Sequence, residues 1–229
     1  MLDRFHEAVI AILVAAFLDG IDGRIARLLK ATSDFGAELD SLSDFVSFGI
    51  APAIVTYLLT LHHLGGFGWG LTLFFSVCMG LRLARFNAMN IRQQQQPDQT
   101  LKQSPVIQAG ASKFFLGVPA PAGAFIALFP LMVSFAFEIR WILSPYIYTF
   151  FILAAGSLMV SRLPTYSFKS LTIKRQWMVP SLILAAIIVA IVVSAPWTVA
   201  SLIVIAYLGS IPFSVLECRR FTTKEATKL

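Results

Sequence analysis

The sequence predicts an all-α, polytopic transmembrane bundle of about seven helices, and composition and patterning carry that prediction. Of its 229 residues, 57% are hydrophobic and only 13% are charged, and the mean hydropathy is +0.77. A soluble domain carries roughly 25% charged residues, so half that share cannot clothe a water-soluble globule of this size. The apolar residues also fall in blocks, such as 177–195 and 197–216. At about 1.5 Å per residue, each block is long enough to cross about 30 Å of hydrocarbon. The blocks are continuously apolar, whereas the strands of a membrane barrel alternate. Twenty Phe and long runs of Ile, Leu and Val exclude disorder. Cys78 and Cys218 sit at or inside apolar segments far apart and give no disulfide framework. The N-terminus shows no cleavable signal peptide pattern.

Taken in chain order, the helical segments are 4–30 (apolar from 8 to 18), 36–61, 67–90, 119–139, 145–163, 177–195 and 196–216. Pro119 and Pro121 mark a helix start, since proline is tolerated in a first turn. The connections 62–66, 140–144 and 194–196 are short and nearly free of charge, while the loops 91–118 and 164–176 are longer and polar. The glutamine tract at 93–96 reads as a solvated linker. Residues 1–216 therefore form one membrane domain, followed by a basic cytoplasmic tail at 217–229.

Basic residues set the orientation. If the region from Asp19 to Asp44 faces the cytoplasm, that side collects 16 of the 18 Lys and Arg, leaving only Arg4 and Arg140 outside. In a membrane protein the net charge of +6 is this bias rather than a nucleic-acid signal. Seven crossings with an inside C-terminus place Met1 outside, so one further transmembrane helix is expected upstream of the sequence as given. Arg219, Arg220, Lys224 and Lys228 are expected to touch anionic headgroups.

The acids are more informative. Six of twelve lie between positions 19 and 44: Asp19, Asp22, Asp34, Glu38, Asp40 and Asp44. Asp19, Asp22, Gly23, Ala26 and Arg27 follow the spacing of one helix face, and Gly36, Asp40 and Asp44 follow that of the next. A lone Asp at a helix end is usually a cap or a topology marker, but a spaced set of this kind is not. Two antiparallel helices joined by a short turn aim four carboxylates at one point. Such a cluster needs cations between its members, and Mg²⁺ or Mn²⁺ suits an all-oxygen site. Two ions bridged by carboxylates form a clamp for displacement at phosphorus. Gly23 and Ala26 leave room for a flat ligand, and the planar fork of Arg27 suits a phosphate.

The string from Asp19 to Asp44 reads D-x2-D-G-x2-A-R-x8-G-x3-D-x3-D. It resembles the signature of the CDP-alcohol phosphatidyltransferases at every defined position. The resemblance implies that Asp19, Asp22, Asp40 and Asp44 ligate paired Mg²⁺ or Mn²⁺, with Asp44 also the general base. It implies further that Gly23, Ala26 and Arg27 line the site for the CDP moiety. Four stretches extend the likeness over nearly the whole chain: Asp40 to Pro52, Arg82 to Asn87, Phe115 to Pro121 and Ser161 to Lys169. They resemble the bacterial integral-membrane branch that uses L-serine. That branch implies CDP-diacylglycerol as donor, phosphatidylserine and CMP as products, a homodimer, an inner-membrane location with the active site on the cytoplasmic side, and a further helix before the one bearing Asp19.

L-Serine carries a carboxylate, so its pocket should offer a cation. Arg82 and Arg85 are the candidates, with Asn87 as a neutral partner and Lys113 in reserve, although juxtamembrane Arg residues also serve orientation. His62 and His63 read as polar loop residues. The alternatives are the same fold with glycerol 3-phosphate or inositol phosphate as acceptor, a transporter or channel, and an inactive fragment. Acids crowded at one end of one helix pair speak against an ion path, which would spread them through the membrane depth.

Overall fold

A computed structural model of the chain describes residues 2–28, 33–95, 114–161, 164–166 and 194–226, with the side chains of 23–28, 90–95 and 214–226 among those left undescribed. Every expected span that falls on these residues is helical. The first is α1 (Leu2–Leu28). The second consists of three helices end to end: α2 (Asp34–Asp44), a π-helical stretch (Phe45–Ile50) and α3 (Ala51–Leu59). Then come α4 (Gly66–Gln95), α5 (Ala120–Phe137), α6 (Pro145–Val160) and α7 (Pro196–Ala226). The expected segment 177–195 lies almost wholly outside the described residues. Among the described residues, three spans, Phe35–Leu59, Gly66–Met89 and Ala120–Phe137, are long and apolar enough to cross a membrane, and Pro145–Val160 and Pro196–Ile211 are shorter apolar helices. The architecture is an all-α membrane bundle.

Local chemistry sets the helix starts. Ser33 caps α2, its hydroxyl accepting a hydrogen bond from the Gly36 amide at 3.0 Å. Pro119 and Pro121 open α5, and Pro145 opens α6.

α5 lies at the centre. Ala124, Ala127, Leu128, Leu131 and Met132 are buried there, against Tyr148, Ile152 and Met159 of α6 and near Phe75 and Met79 of α4. Small residues along α5 let the neighbouring backbones come close, which is how membrane helices gain packing where lipid is as apolar as leucine. The outward faces are apolar as well, with Phe17, Leu18, Val77, Leu81, Leu202 and Ile203 exposed. Thr56 and Thr72 are buried and satisfy their hydroxyls on their own helices, at the carbonyls of Ala53 (2.9 Å) and Gly68 (3.0 Å).

Two features were not legible as periodicity. The π-helical stretch begins directly after Asp44 and turns the chain so that Phe48 and Gly49 are buried, although every described residue of α2 is exposed or half-buried. A side chain at position 49 would meet Met79 at 2.8 Å, so glycine is what lets this stretch lie against α4. In addition, β1 (Phe114–Leu116) pairs antiparallel with β2 (Pro164–Tyr166), Phe115 opposite Thr165, inside what the sequence presents as polar loops. This short ribbon ties the entry of α5 to the exit of α6. At the far end of the bundle, His6 stacks on Phe135 at 3.5 Å, and Trp197 meets both rings at 4.9 Å, so the starts of α1 and α7 are fastened to the end of α5.

Candidate functional site

The site is assembled between the C-terminal half of α1 and the second half of α2. Asp19 and Asp22 stand one turn apart in the last part of α1, and Asp40 and Asp44 one turn apart in α2. The structure brings Asp19, Asp22 and Asp40 together, with one carboxylate oxygen of each lying within 4.8 Å of the others. Asp44 sits beside Asp19, their carboxyls within hydrogen-bonding reach. Asp22 and Asp40 are exposed, while Asp19 and Asp44 are half-buried. The donor set is all oxygen and strongly anionic. Two oxygens on opposite sides of one Mg²⁺ stand about 4.2 Å apart. The observed spread therefore fits a hard divalent cation after small side-chain rotations. Gly23, Ala26 and Arg27 lie in the last turns of α1, and their side chains fall outside the described residues.

α4 supplies the wall opposite. Arg82 is half-buried, its Nε donates to the Val118 carbonyl, and its charge lies within range of Asp44. Arg85 donates from Nη1 to the Val160 carbonyl at 3.2 Å. The two guanidiniums thus hold the segment before α5 and the last residue of α6, each with one donor of a five-donor fork. Asn87 faces α2 and bonds Ser41, Nδ2 to Oγ at 3.1 Å. Lys113 is outside the described residues. His62 and His63 stack on each other at 3.9 Å in the turn after α3, at the opposite end of the span from the acids, and His62 contacts the Tyr57 carbonyl.

Gly117 completes this corner. Its φ is +83°, a conformation that L side chains rarely adopt. A Cβ there would stand 3.0 Å from the Ser161 carbonyl and 3.1 Å from that of Met159. The residue lets the β1–α5 connection press on the end of α6, and the neighbouring Val118 carbonyl receives Arg82.

Two residues of this region escape a reading by spacing. Ser41 lies between the paired acids of α2, and its partner is 46 positions away. Tyr207, half-buried on α7, lies within electrostatic range of Arg82. The available signals were a polar Asn late in an apolar helix and a lone Tyr in another, neither of which names its partner.

Residues 1–162, which carry all the acids and α4 arginines described above, match the family profile described as CDP-alcohol phosphatidyltransferase. The chain belongs to this family. Residues 176–212 match a second CDP-alcohol phosphatidyltransferase profile, described as CDP-alcohol phosphatidyltransferase 2. Among curated relatives, a CDP-diacylglycerol--serine O-phosphatidyltransferase of Mycobacterium tuberculosis is 38% identical over 219 residues, 95% of this chain and 72% of that protein. A protein of the same name from Helicobacter pylori is 31% identical over 205 residues, 90% of this chain and 78% of its own length. Another, from Bacillus subtilis, is 45% identical over 84 residues, 37% of this chain and 48% of that protein.

Proposed function

We propose that this phosphatidyltransferase moves a phosphatidyl group from CDP-diacylglycerol to L-serine, giving phosphatidylserine and CMP. The observation that carries the reading is the convergence of Asp19, Asp22 and Asp40 from two helices, in a chain 38% identical to a serine phosphatidyltransferase. Asp19, Asp22, Asp40 and Asp44 would hold two divalent ions, Mg²⁺ or Mn²⁺. When bound, the ions supply positive charge to the pyrophosphate and to the departing CMP phosphate.

The protein's own groups do the rest. Gly23 and Ala26 leave α1 open to the cytidine, and Arg27 takes a donor phosphate. Asp44 accepts the serine hydroxyl proton as the serine oxygen bonds to the phosphatidyl phosphorus. The bond from that phosphorus to the bridging oxygen breaks, and CMP leaves with the electron pair. Arg82, within electrostatic range of Asp44, takes the serine carboxylate with its remaining donors, and Arg85 adds charge one turn further along α4. The chain sits in the cell membrane as a multi-pass homodimer with this site on the cytoplasmic side. The distribution of Lys and Arg supports that orientation, and the resemblance to the serine-using branch supports the dimer.

The test is CMP release from purified chain given CDP-diacylglycerol and Mg²⁺ or Mn²⁺ with a panel of acceptors. Release that depends on L-serine is the expected result. Release driven instead by glycerol 3-phosphate or inositol phosphate would overturn the choice of acceptor, and none with any acceptor would overturn the reaction.

A further inference from the structure

α2 carries two of the four clustered acids yet has no buried residue among those described, so packing constrains its rotation only from one end, through the π-helical stretch that continues it and buries Phe48 and Gly49. α4 is the reverse case. Its middle is embedded through Phe75, Met79 and Leu83, and Arg82 and Arg85 fasten it to Val118 and Val160. The two helices meet through Asn87 and Ser41.

The geometry of that meeting is directional. Ser41 Oγ stands 3.1 Å from the Ala37 carbonyl, 3.1 Å from Asn87 Nδ2 and 3.3 Å from Asn87 Oδ1. A hydroxyl has one proton to donate. The arrangement that uses both the amide and the hydroxyl as donors runs Asn87 amide to Ser41 oxygen, then Ser41 hydroxyl to Ala37 carbonyl. The chain of bonds grips α2 along one full turn, from Ala37 to Ser41, immediately beside Asp40 and three residues before Asp44. A carboxylate about 6 Å from a helix axis moves about 1 Å when the helix turns by about 10°. A displacement of that size is enough to spoil a catalytic geometry.

We propose that Asn87 is a positioning residue of the carboxylate site, acting through Ser41 to set the rotation of α2 and hence the aim of Asp40 and Asp44. The inference rests on the reading that these acids hold divalent ions. It gives Asn87 a role distinct from that of a group touching the acceptor.

The test uses the full chain, purified in detergent, with Ser41→Ala, Asn87→Ala, the double variant and Ser41→Thr. Mn²⁺ binding is read from the signal of free Mn²⁺ by electron paramagnetic resonance, and CMP release is measured alongside. Each alanine variant is expected to raise the Mn²⁺ Kd about ten-fold, the range of supporting residues behind metal ligands. The double variant should be no weaker than the weaker single, because both remove one linkage. Ser41→Thr keeps the hydroxyl and should stay within about two-fold of wild type, with the serine KM unchanged throughout. An unchanged Kd in both single variants would overturn the proposal, as would effects that multiply, or Ser41→Thr as weak as Ser41→Ala. A raised serine KM in Asn87→Ala with Ser41→Ala at wild type would make Asn87 a substrate contact instead. A wild-type chain that binds Mn²⁺ but releases no CMP would overturn the transferase reading alone.

Discussion

Replacing Asp40 by Asn should stabilise the ion-free protein and weaken the ion-loaded one. In the structure Asp40 shares a site with Asp19 and Asp22, their oxygens within 4.8 Å. Two unit charges at that distance repel by about 3.5 kcal/mol at an effective dielectric of 20 and by about 0.9 kcal/mol in water. Asp40 and Asp22 are exposed, so the aqueous figure governs, at about 1 kcal/mol for each pair. Asn at 40 is nearly the same shape and removes two such pairs, so relief is about 2 kcal/mol. For a chain of this size that is about 4–8 °C in the unfolding midpoint. With ions present the order reverses. An ion at a hundred times its Kd stabilises the native state by about 2.7 kcal/mol, and Asp40→Asn forfeits most of that. The assay is thermal unfolding of wild type and variant in detergent, once in chelator and once in millimolar Mn²⁺. Crossing of the two rankings is the expected result. If the variant melts at or below wild type in chelator, the acids are not held in mutual repulsion and the reasoning fails.

Asp44→Asn should abolish serine-dependent CMP release while binding of the CDP-lipid survives; retained turnover would reject the general-base role. Arg82→Ala and Arg85→Ala should raise the KM for serine, and an unchanged KM in both would remove them from the acceptor pocket. Arg82→Ala should also lower stability by about 1–3 kcal/mol, because the Val118 carbonyl loses its donor, a change visible in the melting curve. Gly117→Ala should cost about 1–2 kcal/mol for its left-handed backbone alone, before the approach to two carbonyls is counted; a melt equal to wild type would contradict the geometry.

Much of the fold was legible because a membrane helix must be apolar over a set length and satisfy its backbone within itself. That local rule located the six helical segments that fall on described residues, and their charge bias adds an expected orientation. The acid pairs were legible for a related reason: 3.6-residue periodicity places Asp19 with Asp22 and Asp40 with Asp44 before any folding is considered. The π-helical stretch after Asp44 was not legible, because no local periodicity marks it and the residue that lets it lie close, Gly49, does so against Met79 of another helix. Nor was the β1–β2 ribbon, whose halves lie some fifty residues apart and form strands only against each other.

By itself, the sequence determined the membrane class, the helical segments and the one-turn spacing within each acid pair, all of which are encoded over distances shorter than one helix. Tertiary structure alone decided which helix faces meet. It joined α1 to α2 at the carboxylates, brought Arg82 within electrostatic range of Asp44, attached Arg82 and Arg85 to backbone carbonyls, and paired Asn87 with Ser41. These are rotations and offsets between rods. In a bundle apolar on nearly every face, hydrophobic pattern leaves such rotations open, and close packing and individual hydrogen bonds settle them.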